Sequence, residues 1–161
     1  MENLVLVEAN DIVNLKYIKD LFLEYARSLE FNLCFQDFEK ELAELPGEYS
    51  FPSGSLLLLM IDNQSAGCVA LRKIDNSACE MKRLYVRQEF RGRGFGRKLA
   101  LAIINKAMDL GYSTMKLDTV PSMKQAIQLY KDFGFKEISA YRYNPVGGAI
   151  YMELDLTHFK S

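Results

Sequence analysis

The sequence predicts an α/β (α+β) fold with a mixed, mostly antiparallel sheet of about seven strands and helices on both faces. Its 161 residues, 49% of them hydrophobic and 25% charged, suit a single domain with a buried core, assigned here to residues 1–161. Three apolar runs between residues 56 and 86 are separated only by short polar turns, which is typical of an antiparallel meander. A helical pattern then links the last of them to another strand, which is typical of a parallel β-α-β connection.

The first half of the chain is expected to hold one strand, two helices and this meander. Leu4–Val7 has the composition of a strand, and Asp11 is a suitable N-cap for the apolar helical pattern that follows. A second helical piece is expected from about Gln36 to Leu45, where a Pro-Gly pair ends it. The meander strands are Leu56–Ile61, Gly67–Ile74 and Glu80–Val86.

The second half alternates helices with strands. Phe95 to Leu110 is apolar on more than one face, which indicates a helix packed on a sheet, and Gly111 is suited to its C-terminal cap. The remaining elements are a strand at Thr114–Val120, a helix at about Met123 to Phe133, a strand after Gly134-Phe135, and a final strand at Ala149–Leu156. The predicted order is therefore β-α-α-β-β-β-α-β-α-β-β.

Three glycines at alternate positions and three arginines make up most of the run Arg91–Arg97, between a predicted strand and a predicted helix. Glycine tolerates positive φ, and the first N–H groups of a helix attract anions, so this turn is suited to phosphate. Arginine side chains match phosphate oxygens. The spacing excludes a dinucleotide loop, because the third glycine would fall at Arg97, and no Gly-Lys-Ser/Thr ending of a Walker A loop follows. The alternative is a solvated turn that binds nothing.

Charge and composition exclude several classes of function. Lys and Arg total 20 against 21 for Asp and Glu, a net charge of −1, so there is no overall attraction to nucleic acid or to anionic membranes. The N-terminal residues do not resemble a secretory signal, and the longest apolar run, Leu56–Ile61, is too short to span a bilayer. We therefore expect a cytoplasmic protein with neither nucleic acid nor membrane as a partner.

The cysteines and the single histidine offer little chemistry. Cys34, Cys68 and Cys79 show no Cys-x-x-Cys spacing, so reduced thiols are expected. His158 is the only histidine, which leaves almost nothing from which to build a triad or a histidine-rich metal site. No metal is expected, and His158 is given no role.

Two motifs resemble those of the GNAT superfamily of N-acetyltransferases. Arg91, Gly94 and Gly96 match its acetyl-CoA signature, Gln/Arg-x-x-Gly-x-Gly/Ala, and residues 126–135 resemble its Ala-x-x-Leu-Tyr-x-x-x-Gly-Phe element. The order of elements is also similar to that of the GNAT fold, so the resemblance covers nearly the whole chain. One departure is Met123, which stands where many members carry an asparagine seven residues before the tyrosine.

The resemblance implies acetyl-CoA as cosubstrate and direct transfer of its acetyl group to a primary amine. In this family the strand before the turn separates from its parallel neighbour, often at a bulge, and its main chain holds the acetyl group and the pantetheine arm. Without the resemblance, the residues of this segment are equally compatible with a buried strand that binds no cofactor. The implied cofactor-binding residues are Leu84, Tyr85, Val86, Arg91, Gly92, Arg93, Gly94, Phe95, Gly96 and Arg97.

Two residues are candidates for the chemical step. Tyr130 occupies the Leu-Tyr motif position of the family's usual general acid, and a phenol is protonated at neutral pH and can donate to a thiolate. The alternative is a core aromatic. Glu80 lies eleven residues before Arg91, the spacing of a glutamate in the histone-acetylating branch, and burial would raise its pKa towards that of a general base. The sequence is equally compatible with a solvent-facing Glu80 that pairs with Lys82. In that case solvent would act as the base.

The acceptor is the least specified part of the reaction. Acceptor pockets in this fold are built from the early helices, the strand of Glu80 and the penultimate loop, here residues 141–145. Lys82, Arg83 and Arg142 are able to bind a carboxylate of a small amine, or they are simply solvated. No acidic groove for a lysine-rich peptide is visible, which favours a small acceptor. A protein N-acetyltransferase and a non-catalytic acyl-CoA-binding or regulatory module are alternatives, and the sequence leaves monomer and homodimer open.

Overall fold

The predicted order of elements is confirmed in the computed structural model, which describes residues 2–29, 37–144 and 146–160. The boundaries coincide with the expected ones or differ from them by at most three residues. Gln36, the expected start of the second helix, and Cys34 lie outside the described residues. The strands are β1 Leu4–Glu8, β2 Ser55–Ile61, β3 Gln64–Lys73, β4 Ala78–Val86, β5 Thr114–Thr119, β6 Lys136–Ile138 and β7 Ile150–Asp155. The helices are α1 Ile12–Ser28, α2 Phe38–Glu44, α3 Phe95–Asp109 and α4 Lys124–Phe133.

The seven strands form one sheet in the order β1-β2-β3-β4-β5-β7-β6. Among the strands of the described residues, only β4 and β5 pair in parallel, and the other neighbours are antiparallel. Helices α3 and α4 pack through residues such as Leu99 and Phe133 into one hydrophobic core, and α1 and α2 pack through Phe22 and Phe38 into a second. The two cores lie on opposite faces, as predicted, because alternate residues of a strand point to opposite sides.

Local sequence signals fix the ends of the helices. Asp11 caps α1, since its Oδ1 accepts the N–H of Asn14 at 2.8 Å. Gly111 and Gly134 follow α3 and α4 with φ of +92° and +105°, a left-handed conformation that glycine adopts without strain. The predicted cap at Gly111 is confirmed, and α4 ends at Phe133 as predicted.

The sheet opens between β4 and β5. Their pairing covers only Ala78–Glu80 against Thr114–Lys116, although β5 continues to pair with β7 as far as Thr119. In the same region β4 contains a bulge: Cys68 is opposite Tyr85 and Ala70 is opposite Lys82, so β4 has one residue more than β3. Arg83, within the bulge, has φ +59°. A gap therefore separates the second half of β4 from β5, while each strand is held by its other neighbour.

Two further expectations concern the cysteines and the membrane. Cys68 and Cys79 are buried free thiols, as predicted, and burial raises the pKa of Cys79 to about 12. Within the described ranges, no helix has both the length and the apolar composition needed to cross a bilayer.

Candidate active site

A groove follows the gap between β4 and β5. Its outer part, about 230 Å³, is lined by the glycine turn and by residues of α4 such as Ala126. The middle part, about 530 Å³, lies between Tyr85, the end of α1 and the start of α4. The inner end is a small cavity of about 50 Å³ lined by residues that include Lys82 and Tyr130. Leu84 lines all three parts, so they adjoin one another.

The outer part is built around unpaired main-chain donors. Gly92 and Gly94 have φ of +78° and +82°, so the chain turns into α3 through conformations that favour glycine. Within the described residues, the N–H groups of residues 92–97 find no hydrogen-bond acceptor, and Lys98 is the first to donate, to the carbonyl of Gly94 at 3.1 Å. Consecutive free N–H groups at the positive end of a helix dipole form an anion cradle.

The three arginines of the turn have different surroundings. Arg91 lines the groove, donates from Nε to the Val86 carbonyl at 2.8 Å, and lies over the Tyr85 ring. Arg93 forms an ion pair with Glu2. Arg97 lies over the Phe133 ring at 4.7 Å. Arg91 is thus the best placed of the three to contact a groove ligand.

The middle part of the groove is bordered by the unpaired edge of β4. Tyr85 and Val86 pair with β3 on one side, and their other side faces the gap. The Tyr85 hydroxyl donates to Glu24 of α1 at 2.9 Å, and Arg87 donates to the same carboxylate at 3.0 Å. These contacts fix the end of β4 against α1 and leave main-chain groups available to a ligand.

Tyr130 reaches the inner cavity from α4. It is 7% exposed and packs on Phe135, with the ring centroids 5.6 Å apart. Its hydroxyl makes no hydrogen bond within the described residues. Every enclosed side-chain polar atom there has a partner, so this hydroxyl is accessible rather than enclosed. Burial raises the pKa of Tyr130, and the phenol stays protonated at neutral pH. The ring is therefore part of the core while the hydroxyl remains available to a ligand.

Glu80 is not solvent-facing, so that expectation is wrong. It is 0% exposed, and its Oε1 accepts the Arg72 Nε at 2.7 Å. Its Oε2 accepts the Tyr141 hydroxyl at 2.6 Å and is also paired with Arg142. A general base needs a free oxygen to receive a proton. With both oxygens occupied, the contacts favour an anchoring role for Glu80 over the expected catalytic one.

Glu80 anchors the loop between β6 and β7, which closes the inner cavity. Tyr141 and Arg142 belong to that loop, and Asn144 donates to the Asp118 carboxylate of β5 at 3.1 Å. Pro145 of the same loop lies outside the described residues. The penultimate loop is thus held against β4 and β5 at the point where the two strands separate.

Arg83 is also not solvated. It is 5% exposed and makes a double hydrogen bond with Glu41 of α2, at 3.0 and 2.8 Å. Since its donors already hold a carboxylate, Arg83 is a poor candidate for binding an acceptor carboxylate.

Sequence reasoning missed several members of the site. The Arg72–Glu80 pair has a recognisable signal, because the two residues lie symmetrically about the predicted turn at 75–77 and are directly opposite in the β3–β4 register. Asp118 has a weaker signal, as a carboxylate near the end of a buried strand. Among the described residues, no group of three or more His, Cys, Asp or Glu side chains is arranged to hold a metal.

Glu80→Gln is expected to destabilise the fold by about 3–5 kcal/mol, because removing one partner of a buried ion pair leaves uncompensated charge. Here two guanidiniums would face a neutral amide. The free energy of unfolding from urea denaturation measures this. Glu48→Gln is the matched control, since Glu48 pairs with the same Arg72 but its side chain is 73% exposed. A small effect in both variants would contradict the anchoring role.

Comparison with known proteins agrees with this geometry. A family model described as Acetyltransferase (GNAT) family matches residues 16–135. An uncharacterized N-acetyltransferase of Schizosaccharomyces pombe is 40% identical over 141 residues, 86% of each chain. The N-acetylaspartate synthetase of Danio rerio is 28% identical over 71% of this chain and 41% of its own length. A GNAT family acetyltransferase from Elizabethkingia anophelis, solved with acetyl-CoA bound, superposes with a TM-score of 0.69 at 22% identity, covering 95% of this chain and 98% of that one.

Proposed function

Because this chain belongs to the GNAT acetyltransferase family, we propose that it transfers the acetyl group of acetyl-CoA to the primary amine of a small acceptor that carries a carboxylate. One observation carries the proposal. The groove between β4 and β5 begins at a cradle of unpaired N–H groups and ends at the accessible hydroxyl of Tyr130. It therefore offers an anion site at one end and a proton donor at the other.

The donor molecule would lie along this groove. The N–H groups of residues 92–97, together with Arg91, would hold the diphosphate, and the unpaired edge of β4 would hold the pantetheine arm. Met123 lines the groove beside Leu84. It replaces the expected asparagine with a side chain that makes van der Waals contact but donates no hydrogen bond.

The chemistry follows from what borders the inner cavity. The neutral acceptor amine attacks the thioester carbonyl, and a main-chain N–H near Leu84 stabilises the oxyanion, a type of contact worth about 2.7–4 kcal/mol in other enzymes. The C–S bond then breaks, Tyr130 gives its proton to the departing thiolate, and the nitrogen of the new amide loses a proton to the tyrosinate. No acyl-enzyme is formed, because the amine attacks the bound thioester directly.

The surroundings of the cavity favour a carboxylate on the acceptor. Arg142 lies on the loop that closes the cavity and is paired with Glu80 through Nη2, which leaves further guanidinium donors for a carboxylate of the acceptor. The name of the related N-acetylaspartate synthetases implies an amino dicarboxylic acid as their acceptor, which agrees with this chemistry.

One observation favours the alternative of a protein acceptor. Contrary to the expectation of no acidic groove, a depression of about 270 Å³ beside α2 is lined by Asp37, Glu41, Glu44 and Glu48, with Lys40 and Arg72. Glu41 and Glu48 are, however, already paired with arginines. The remaining acidic charge is small, so we favour a small acceptor over a basic peptide.

A thiol-release assay with matched acceptors tests the proposal. Each carboxylated amine is compared with its amide, for example L-aspartate with L-asparagine, alongside polyamines and peptide amines. We expect acetyl-CoA-dependent release of CoA above hydrolysis, faster with a carboxylate than with its amide. Release with peptides alone would indicate a protein N-acetyltransferase. Thermal stabilisation by acetyl-CoA without release for any amine would indicate a non-catalytic acyl-CoA-binding module.

A further inference from the structure

Lys82 and Tyr130 border the same small cavity. Lys82 lies two residues beyond the last β4–β5 pair, Glu80 with Lys116, and directly before Arg83 of the bulge. It is 7% exposed, which is unusual for a lysine. The cavity that it shares with Tyr130 also touches Leu84, where the thioester is proposed to lie. An amine and a phenol thus flank the reacting position.

The charged groups around Lys82 come from several elements. Arg72 of β3 and Arg83 of β4 already hold the carboxylates of Glu80 and Glu41. From β5, Asp118 lines the cavity and accepts a hydrogen bond from Asn144.

These surroundings disfavour a charged lysine. Burial, followed by the charges of Arg83 and Arg72, lowers the pKa of Lys82 to about 7, while Asp118 and Glu41 act in the opposite direction. Its side chain is therefore neutral in a large share of molecules at neutral pH, and that share increases as the pH rises. A neutral amine is a competent proton acceptor.

We infer that Lys82 is the general base of the acetyl transfer, which deepens the proposed function and rests on it. Neutral Lys82 takes one proton from the ammonium of the acceptor, whose lone pair then forms the bond to the carbonyl carbon. As the C–S bond breaks, Tyr130 gives its proton to the thiolate. The nitrogen of the new amide loses its second proton to the tyrosinate, and the Lys82 ammonium returns its proton to solvent.

This assignment fits the occupied state of Glu80. The carboxylate that the sequence suggested as base is held on both oxygens by Arg72, Tyr141 and Arg142. Lys82 lies two residues further along the same strand and lines the cavity beside Tyr130. The two roles are thereby divided between an anchoring carboxylate and a nearby amine.

The test compares Lys82→Met and Lys82→Arg with the wild type over pH 5.5 to 9, using the best amine of the thiol-release assay. We expect the wild-type kcat/KM to rise with pH to a plateau, with a midpoint near the pKa of Lys82, about 7. Both variants are expected to lose about 10²–10⁴-fold, without that rise, and to keep their thermal stabilisation by acetyl-CoA. Lys106→Met, which removes the half-buried partner of Glu8 on α3, away from the groove, is the control that keeps full activity.

Two other outcomes would overturn the inference. Restoration of activity by Lys82→Arg would show that positive charge, and not proton acceptance, is what the reaction needs. A +42 Da acetyl adduct on Lys82 that disappears when the acceptor amine is added would show that Lys82 is a nucleophile and not a base.

Direct titration of Lys82 by NMR separates this inference from the proposed function. A titration midpoint near the ordinary lysine pKa of about 10.4 would contradict the role of Lys82 as general base and leave the proposed acetyl transfer intact. If no amine gave thiol release, the proposed function would be contradicted, and the role of Lys82 as its general base would be contradicted with it.

Discussion

Gly94→Asp is expected to abolish the thermal stabilisation that acetyl-CoA gives to this protein, while the fold is retained. The residue has φ +82°, and an added Cβ would meet no atom within 4 Å, so the cost to the fold is backbone strain of about 1–2 kcal/mol. The carboxylate, however, would lie among the unpaired N–H groups of residues 92–97 and would compete with and repel a diphosphate.

The size of the effect follows from mass action. A ligand at 100 times its Kd stabilises a protein by about 2.7 kcal/mol. For a domain of this size, each kcal/mol of stabilisation raises Tm by roughly 2–4 °C. The measurement is Tm with and without acetyl-CoA. Gly111→Asp is the matched control, because Gly111 also has a positive φ, +92°, and free space around its Cβ, but lies after α3 at its other end. An intact response in Gly94→Asp, or a lost response in Gly111→Asp, would show that the cradle lies elsewhere.

Tyr130→Phe is expected to lower kcat by about 10²–10⁴-fold, the usual contribution of a general acid, and to leave the response of Tm to acetyl-CoA unchanged. The phenylalanine ring keeps the packing against Phe135, and the hydroxyl that is removed has no hydrogen-bond partner within the described residues. The loss therefore isolates the proton donor. Single-turnover release of CoA, measured with the best amine acceptor, reports on this step.

Tyr112→Phe is the control for this experiment. Its hydroxyl donates to the Ser53 carbonyl at 2.6 Å, and the residue lies on the connection between α3 and β5, away from the groove lining. We expect some loss of stability and no loss of kcat. If Tyr130→Phe turned over at the wild-type rate, Tyr130 would be a core aromatic and the thiolate would receive its proton from water.

The parts of the protein that were predicted correctly depend on short-range signals. The order of helices and strands follows from the period of the apolar residues and from the turn residues between them. The caps at Asp11 and Gly111 follow from residue type alone. The positive φ of Gly92 and Gly94 is also predictable from short-range signals, because it depends only on the residues of the turn.

The parts that were predicted wrongly depend on contacts between distant segments. A solvent-facing Glu80 is one of the two alternatives that the sequence offers, because glutamate is seldom fully buried. In the structure Glu80 is buried and pairs with Arg142, which lies 62 positions later in the chain. Arg83 is expected from the sequence either to bind an acceptor carboxylate or to be solvated, whereas the structure pairs it with Glu41, which belongs to a helix of the first half. No local pattern specifies such pairings, since they form only when the sheet and the loop between β6 and β7 are assembled.

The bulge in β4 shifts the alternation of side chains by one position. Before it, the odd-numbered Cys79 and Met81 pack into the core of α3 and α4, and beyond it the even-numbered Leu84 and Val86 do so, while Tyr85 joins the opposite core. Shortening the strand by one residue here would exchange the faces of everything after it. Tyr85 would then point away from α1, so the length of this strand is constrained as closely as its composition.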